Sequence, residues 1–146
     1  MKQDPVELVL YYPFAGDWNE ESFMKNFGEP IQRKFPHITI KYMTNGKGTS
    51  LNELLTAGEP IDIIMVSIGR TSDHLTDLEL QEDLTPLAQK HQFDLDSLDP
   101  AMIEMQRQMS GGAVYGLPVY VPPSTVYYNK GIFDKFGVEY PKDGMT

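Results

Sequence analysis

The sequence predicts an α/β fold, because three apolar runs of strand length alternate with helix signals in its first half. The runs are VELVLYY, HITIKYM and IDIIMVS. The order strand, helix, strand, helix, strand is typical of a parallel sheet joined by right-handed crossovers. We therefore expect a mainly parallel sheet with helices on both of its faces.

The first strand, VELVLYY, is followed by a turn and then by a helix signal. Asp17 is the expected cap of a helix that begins at Trp18, and Glu20 stands at the right spacing to complete a capping box. Gly28 and Pro30 then interrupt the apolar face. Because proline suits the first turn of a helix, a second short helix is expected to begin at Pro30.

The second strand and its helix repeat this order. HITIKYM alternates apolar and polar residues, and Ser50 with Glu53 forms another capping box. Gly58 is expected to end this helix, whose buried face is predicted to consist of Leu51, Leu54 and Leu55. The third run, IDIIMVS, is nearly all apolar, which favours a central strand covered on both faces.

The second half of the chain contains further helix signals. Cap-then-proline pairs at Thr85-Pro86 and Asp99-Pro100 indicate two helix starts, and KGIFDKFGV indicates another near the end. The last residues, YPKDGMT, are turn-like. An α/β unit that stops there is expected to be part of a larger chain.

Composition excludes several classes of function. The 146 residues suit about one domain, and the formal net charge of −9 has the wrong sign for a nucleic-acid binder. Without cysteine the chain has no disulfides, no thiolate catalysis and no cysteine-ligated metal. No stretch has the roughly 20 apolar residues that cross a bilayer, and the N-terminus lacks the pattern of an export signal.

Motifs for catalysis and for cofactor binding are not found in the sequence. The three histidines, His37, His74 and His91, do not have metal-ligand spacing, and TNGKGTS lacks the spacing of a phosphate loop. No catalytic residue, cofactor or metal is therefore predicted, and the chain is not expected to be an enzyme.

The candidate ligand site lies at the carboxyl ends of the first and third strands, where ligands collect in open α/β sheets. The segments there are YPFAGDW and SIGRTSD, and their candidate residues are Tyr12, Phe14, Trp18, Ser67 and Arg70. Aromatic rings beside a few hydrogen-bonding groups suit a ligand with C–H faces and hydroxyls, such as a sugar. The alternative is structural: Trp18 packs on the core, Phe14 staples the helix entry, and Arg70 is a surface charge.

Three quoted segments carry a family resemblance: DIIMVS, LQEDLTPLAQK and GAVYGLPVYVPPSTVYYNKGIFDKFGVEYPKDGMT. Together they resemble the first part of the extracellular solute-binding proteins of the sugar type that serve ABC importers. The resemblance implies a periplasmic-binding-protein-like protein of two lobes. It implies that residues 1–125 form the N-terminal lobe and that residues 126–146 are the crossover, or hinge segment, leading toward a second lobe that the chain lacks.

The same resemblance implies a ligand cleft between the lobes that closes by hinge motion. It adds Tyr120 and Ser124 to the candidate contacts, because they lie in the proline-interrupted segment, while Tyr115 is expected to pack. The three prolines of that segment, Pro118, Pro122 and Pro123, are expected to fix its path, with residues 126–128 still able to pair as a strand. The alternative is that these prolines mark an edge strand or a bulge.

The implied solute is a mono- or oligosaccharide, and the implied partners are the membrane permease subunits of an ABC importer. The protein is then expected to be exported, either lipid-anchored at the extracellular face of the membrane or periplasmic. The export signal and any lipid-bearing cysteine are expected upstream of this chain. Two alternatives remain open: a fragment of an α/β enzyme acting on carbohydrate, and a non-catalytic acidic interaction module.

Overall fold

A computed structural model describes residues 4–14, 16, 18–121 and 125–145. Its described residues form a sheet of three strands: β1 (Val6–Tyr12), β2 (Ile38–Thr44) and β3 (Ile63–Ile64). The strand order is β2-β1-β3, and both pairings are parallel. The predicted parallel α/β sheet is confirmed.

Seven α-helices are found in the described residues. They are α1 (Glu20–Phe23), α2 (Glu29–Lys34), α3 (Leu51–Ala57), α4 (Thr71–His74), α5 (Thr85–Lys90), α6 (Pro100–Ser110) and α7 (Lys130–Phe136). A π-helical turn (Met24–Gly28) joins α1 to α2, and short 3-10 turns cover Ile68–Arg70, Thr76–Leu78 and Leu95–Ser97. No helix of the described residues has the length and apolar character that a membrane span requires.

Helices cover both faces of the sheet. On one face, Leu54 of α3 packs in a buried cluster with Tyr11 of β1. On the other, the Phe23 ring at the end of α1 stacks on Tyr42 of β2, with centroids 4.2 Å apart. Tyr42 is paired with Leu10, the neighbour of Tyr11, and successive strand residues point to opposite faces. The predicted two-sided covering is confirmed.

The third strand is shorter and less central than the sequence predicts. β1 is the middle strand, whereas β3 pairs over two residues only, and Ile63 is 45% exposed. The Asp62 carboxylate accepts a hydrogen bond from the Val9 N–H at 2.7 Å. Just before β3 begins, this side chain therefore replaces a backbone carbonyl as the hydrogen-bond partner of β1. An apolar run signals partial burial, and it does not distinguish a central strand from an edge strand.

The first helix begins later than predicted. α1 starts at Glu20, and its cap is Asn19, whose side chain accepts from the Ser22 N–H at 2.8 Å. The predicted cap, Asp17, lies outside the described residues, and Trp18 precedes the helix. Asparagine is as good a cap as aspartate, so the choice between the two positions was open on residue type alone.

The backbone continues in helical conformation past Gly28, where an interruption was expected. The Glu29 N–H donates to the Met24 carbonyl, a five-residue span that defines the π turn. Pro30 stands in the first turn of α2, as predicted for a second short helix, although that helix begins at Glu29. A β-carbon at Gly28 would overlap the end of the Met24 side chain, which would have to move to make room.

The later helix caps agree with the sequence except at α5, where Leu84 is the cap position and the predicted cap, Thr85, is already the first helical residue. Both bonds of the Ser50–Glu53 capping box are present, and Gly58 ends α3 in the left-handed conformation. Asp99 caps α6 through the Ala101 and Met102 N–H groups. The buried face of α3 is narrower than predicted, because Leu55 is 36% exposed whereas the other two leucines, Leu51 and Leu54, are buried.

The segment from Val114 to Asn129 has no strand pairing in its described residues. Val114 is fully buried, its carbonyl accepts from the Leu84 N–H at 2.9 Å, and its own N–H donates to Asp83 at 3.2 Å. Farther along, Val126 and Tyr127 are 84% and 91% exposed, so the strand expected at residues 126–128 does not form. Their β-branched and aromatic side chains favour a strand only where a pairing edge is available.

Candidate functional site

Phe14 is the centre of a cluster at the carboxyl ends of β1 and β3. It follows Tyr12, the buried last residue of β1, and the two rings meet edge to face with centroids 5.3 Å apart. After β3 the chain turns at Ser67 into a 3-10 turn, which places the Arg70 Cζ atom 5.9 Å from the Phe14 ring centroid. The His74 ring of α4 lies 5.5 Å from the same ring.

An ion pair borders this ring. The Arg70 Nε atom lies 2.8 Å from Asp73 Oδ2, and each side chain is 53% exposed. The His74 Nδ1 atom lies 3.2 Å from the Arg70 carbonyl oxygen. Tyr12, Phe14, Arg70, Asp73 and His74 are called the Phe14 cluster below. It combines an aromatic surface with solvent-accessible hydrogen-bonding groups.

A second aromatic group surrounds Trp18. The indole ring contacts Phe27 of the π turn at 5.3 Å and Tyr120 of the proline-interrupted segment at 6.0 Å, both between centroids. These three residues are called the Trp18 cluster. The Trp18 carbonyl accepts a 2.7 Å hydrogen bond from the Tyr42 hydroxyl, and burial is the main cause that raises the pKa of Tyr42 to about 12. Tyr42 is therefore a neutral donor that fixes the backbone at Trp18.

The predicted site residues fall into these two clusters with two exceptions. The Phe14 cluster contains Tyr12, Phe14 and Arg70, and the Trp18 cluster contains Trp18 and Tyr120. Ser67 is exposed, and its carbonyl accepts from the Arg70 N–H at 2.8 Å, but none of these contacts joins it to Trp18. Ser124 lies outside the described residues.

Three members of the clusters were not predicted: Asp73, His74 and Phe27. Asp73 and His74 stand three and four residues after Arg70, which is the spacing of neighbours on a helical turn. The spacing is visible in the sequence, but SIGRTSD contains no strong helix signal, so a helical turn was not predicted there. Phe27 lies in a π turn, whose extra residue per turn shifts side chains from the positions that ordinary helical spacing predicts.

The chemistry available here is that of binding. Among the described residues there is no group of three or more side chains suited to hold a metal ion. Phe14 and Trp18 are half-buried rings of a kind that packs against C–H groups, while Arg70 can donate and Asp73 can accept hydrogen bonds. This combination suits a polyhydroxylated ligand.

Comparison with known proteins places the chain in a family and gives a similar relative. The sequence profile of the family described as "Bacterial extracellular solute-binding protein" matches residues 16–144. A relative from Bacillus subtilis (strain 168), described as "Arabinooligosaccharide-binding protein", is 30% identical over 140 residues. That alignment covers 94% of this chain and 29% of the relative, so the chain spans under a third of the relative's length. No solved structure gave a significant match.

Proposed function

Because the chain belongs to the family of bacterial extracellular solute-binding proteins, we propose that it is part of the solute-binding component of an ABC importer. In this proposal residues 1–125 belong to one lobe, and residues 126–146 lead toward a second lobe. The exposure of Val126, Tyr127 and Phe136 supports a role outside the core of the first lobe. The protein formed by this chain together with its proposed second lobe is called the full-length receptor below.

The proposed solute is a mono- or oligosaccharide. The observation that carries this proposal is the position of Phe14, whose ring connects the carboxyl ends of β1 and β3 and is bordered by Arg70 and His74. Ligands of open α/β sheets collect at that edge. The Bacillus relative, described as an arabinooligosaccharide-binding protein, adds support for an oligosaccharide.

The proposed mechanism is capture by closure of two lobes. The Phe14 and Trp18 clusters supply one wall of the cleft, and the second lobe supplies the other. Tyr120 contacts Trp18 from the segment that leads toward the proposed crossover, so hinge motion is expected to alter the Trp18 cluster. The closed receptor then delivers the sugar to the permease subunits at the outer face of the membrane, as a lipid-anchored or periplasmic protein.

Calorimetric titration of the full-length receptor with arabinotriose, maltotriose and xylotriose tests this function. We expect stoichiometric binding of at least one sugar and no change in the sugar after incubation. Phe14→Ala is expected to weaken that binding, because it removes the ring between the two strand ends. Phe93→Ala is the matched control, since Phe93 is a 45% exposed ring outside both clusters.

Two results would contradict the proposal. The first is the appearance of shorter sugars or other products, which would indicate an enzyme. The second is an equal loss of affinity in the Phe14 and Phe93 variants, which would place the site elsewhere. Both the family and the Bacillus relative are solute-binding proteins, in agreement with the expectation that the chain is not an enzyme.

A further inference from the structure

Arg70 stands at the solvent-facing border of the Phe14 cluster with its charge already paired. Its Nε atom lies 2.8 Å from Asp73 Oδ2, while its Cζ atom lies 5.9 Å from the Phe14 centroid. The guanidinium is therefore held at two points, by a carboxylate on one edge and by an aromatic ring. A long arginine side chain held in this way loses less conformational freedom when it binds a ligand.

The ion pair leaves hydrogen-bonding capacity on both partners. The ion pair is made at the Arg70 Nε atom, so the edge of the guanidinium that carries the two Nη groups is still able to donate hydrogen bonds. The Asp73 carboxylate has further lone pairs, because an ionised carboxylate accepts about four hydrogen bonds. A sugar hydroxyl both donates and accepts, so neighbouring hydroxyls can use the two partners together.

The pair also balances charge at the site. An unpaired, solvent-accessible arginine would attract carboxylates, sulfate and phosphate. With Asp73 at 2.8 Å, an approaching anion meets a negative charge next to the positive one. A neutral hydroxyl group does not experience this repulsion.

We infer that Asp73 is a positioning residue that orients Arg70 and cancels its charge, so that the site selects an uncharged polyhydroxylated ligand over an anionic one. This inference rests on the proposed function. It assigns to Asp73 a role in specificity, acting through Arg70.

The test uses the full-length receptor, arabinotriose as the ligand, and sulfate as a small anionic competitor. The apparent Kd for arabinotriose is measured in potassium chloride and in potassium sulfate at equal ionic strength. In the wild type the two values are expected to agree. In Asp73→Asn the exchange of chloride for sulfate is expected to raise the apparent Kd by up to about fivefold. This factor corresponds to ~1 kcal/mol, the upper range for an ion pair between solvent-exposed groups.

Two further variants isolate the cause. Asp77→Asn removes the same charge at an exposed position four residues later, in the next 3-10 turn, and is expected to behave as the wild type. Combining Arg70→Gln with Asp73→Asn is expected to abolish the sulfate effect, because the competing anion loses its partner. A merely structural role for Asp73 would lower affinity equally in both salts.

The outcomes separate this inference from the function on which it rests. If the wild type binds arabinotriose and sulfate affects all variants equally, the inference about Asp73 is wrong and the proposed function stands. If the sulfate effect persists without Arg70, the inference is also wrong. If the receptor binds none of the three neutral sugars tested above, the proposed function fails and the inference fails with it.

Discussion

Asp83 joins two segments that lie 31 residues apart in the chain. Its Oδ1 atom accepts hydrogen bonds from the Thr85 N–H at 3.0 Å and from the Val114 N–H at 3.2 Å. These hydrogen bonds hold the pKa of the Asp83 carboxyl below its ordinary value of 3.8, and the bond from the Thr85 backbone has the largest effect. The carboxylate thus connects the start of α5 to the buried Val114.

Asp83→Asn is expected to lower the thermal unfolding temperature at neutral pH. Because the folded pKa is depressed, the ionised carboxylate stabilises the fold at pH values above its ordinary pKa. That contribution disappears as the pH falls through the lower folded pKa. Melting curves from pH 7 down to pH 2 should therefore show the two proteins converging in acid, and a difference that is constant over this range would contradict the account.

Trp18 is the single tryptophan of the chain and contacts the Tyr120 ring. Sugar binding to the full-length receptor is expected to change its fluorescence emission, because closure or direct contact alters the surroundings of the indole. Tyr120→Ala should change the emission of the free protein and reduce the response. The measurement uses a receptor in which Trp18 is the single tryptophan, with any others replaced. If calorimetry shows that this receptor binds the sugar and its emission does not change, Trp18 is not part of the site.

The sequence allowed part of the Phe14 cluster to be predicted. Tyr12, Phe14 and Arg70 were identifiable because parallel strands bring their carboxyl ends to one edge, and the structure brings these three together. Asp73 and His74 were missed because α4 is one turn long and lacks a side-chain cap. Such a turn is stabilised by its surroundings, which a single sequence does not reveal.

Among the elements, α3 shows which features local sequence patterns can predict and which they cannot. Its capping box and its glycine end were both predictable, since they depend on residues adjacent in sequence. The register of its buried face depends instead on where the sheet lies. Leu54 is 4% exposed and Leu55 is 36% exposed, so neighbouring leucines have different environments.

This difference predicts unequal effects of the same substitution. Leu54→Ala is expected to lower the free energy of unfolding by about 2–5 kcal/mol, because it leaves a cavity beside Tyr11. Leu55→Ala is the matched control, with an expected loss of about 1 kcal/mol or less. Urea unfolding of the two variants measures both values, and equal losses would show that α3 packs in a different register.

The short β3 marks the limit of prediction at this scale. An apolar run of seven residues predicted a central strand, but two residues pair with β1. Asp62 fills one ladder position with its carboxylate, and the chain enters a 3-10 turn at Ile68. Neither event has a clear local signal, since each depends on the position of β1.

In the molecule as a whole, solvent exposure differs between the first part of the chain and its last residues. In the described part of the chain, the buried hydrophobic side chains belong to β1, to α1, α3, α5 and α6, and to Val114, whereas residues 125–145 are exposed except for the half-buried Phe133. Phe133, Tyr128 and Tyr140 contact one another around α7. The proposed explanation is that residues 126–146 are the crossover segment that leads toward a second lobe.

The central claim is that this chain supplies one wall of a two-walled sugar site. One wall leaves the opposite face of the ligand in water, so much of the contact energy is lost. Since each ~1.4 kcal/mol is a factor of ten, losing several kcal/mol moves a micromolar ligand to millimolar or beyond.

The most direct test is to titrate the 146-residue chain and the full-length receptor with the same oligosaccharide by calorimetry, after circular dichroism has verified that both are folded. We predict tight binding by the full-length receptor, and binding about a thousandfold weaker or undetectable for the isolated chain. Equal dissociation constants would contradict the account, because they would place the complete site within this chain.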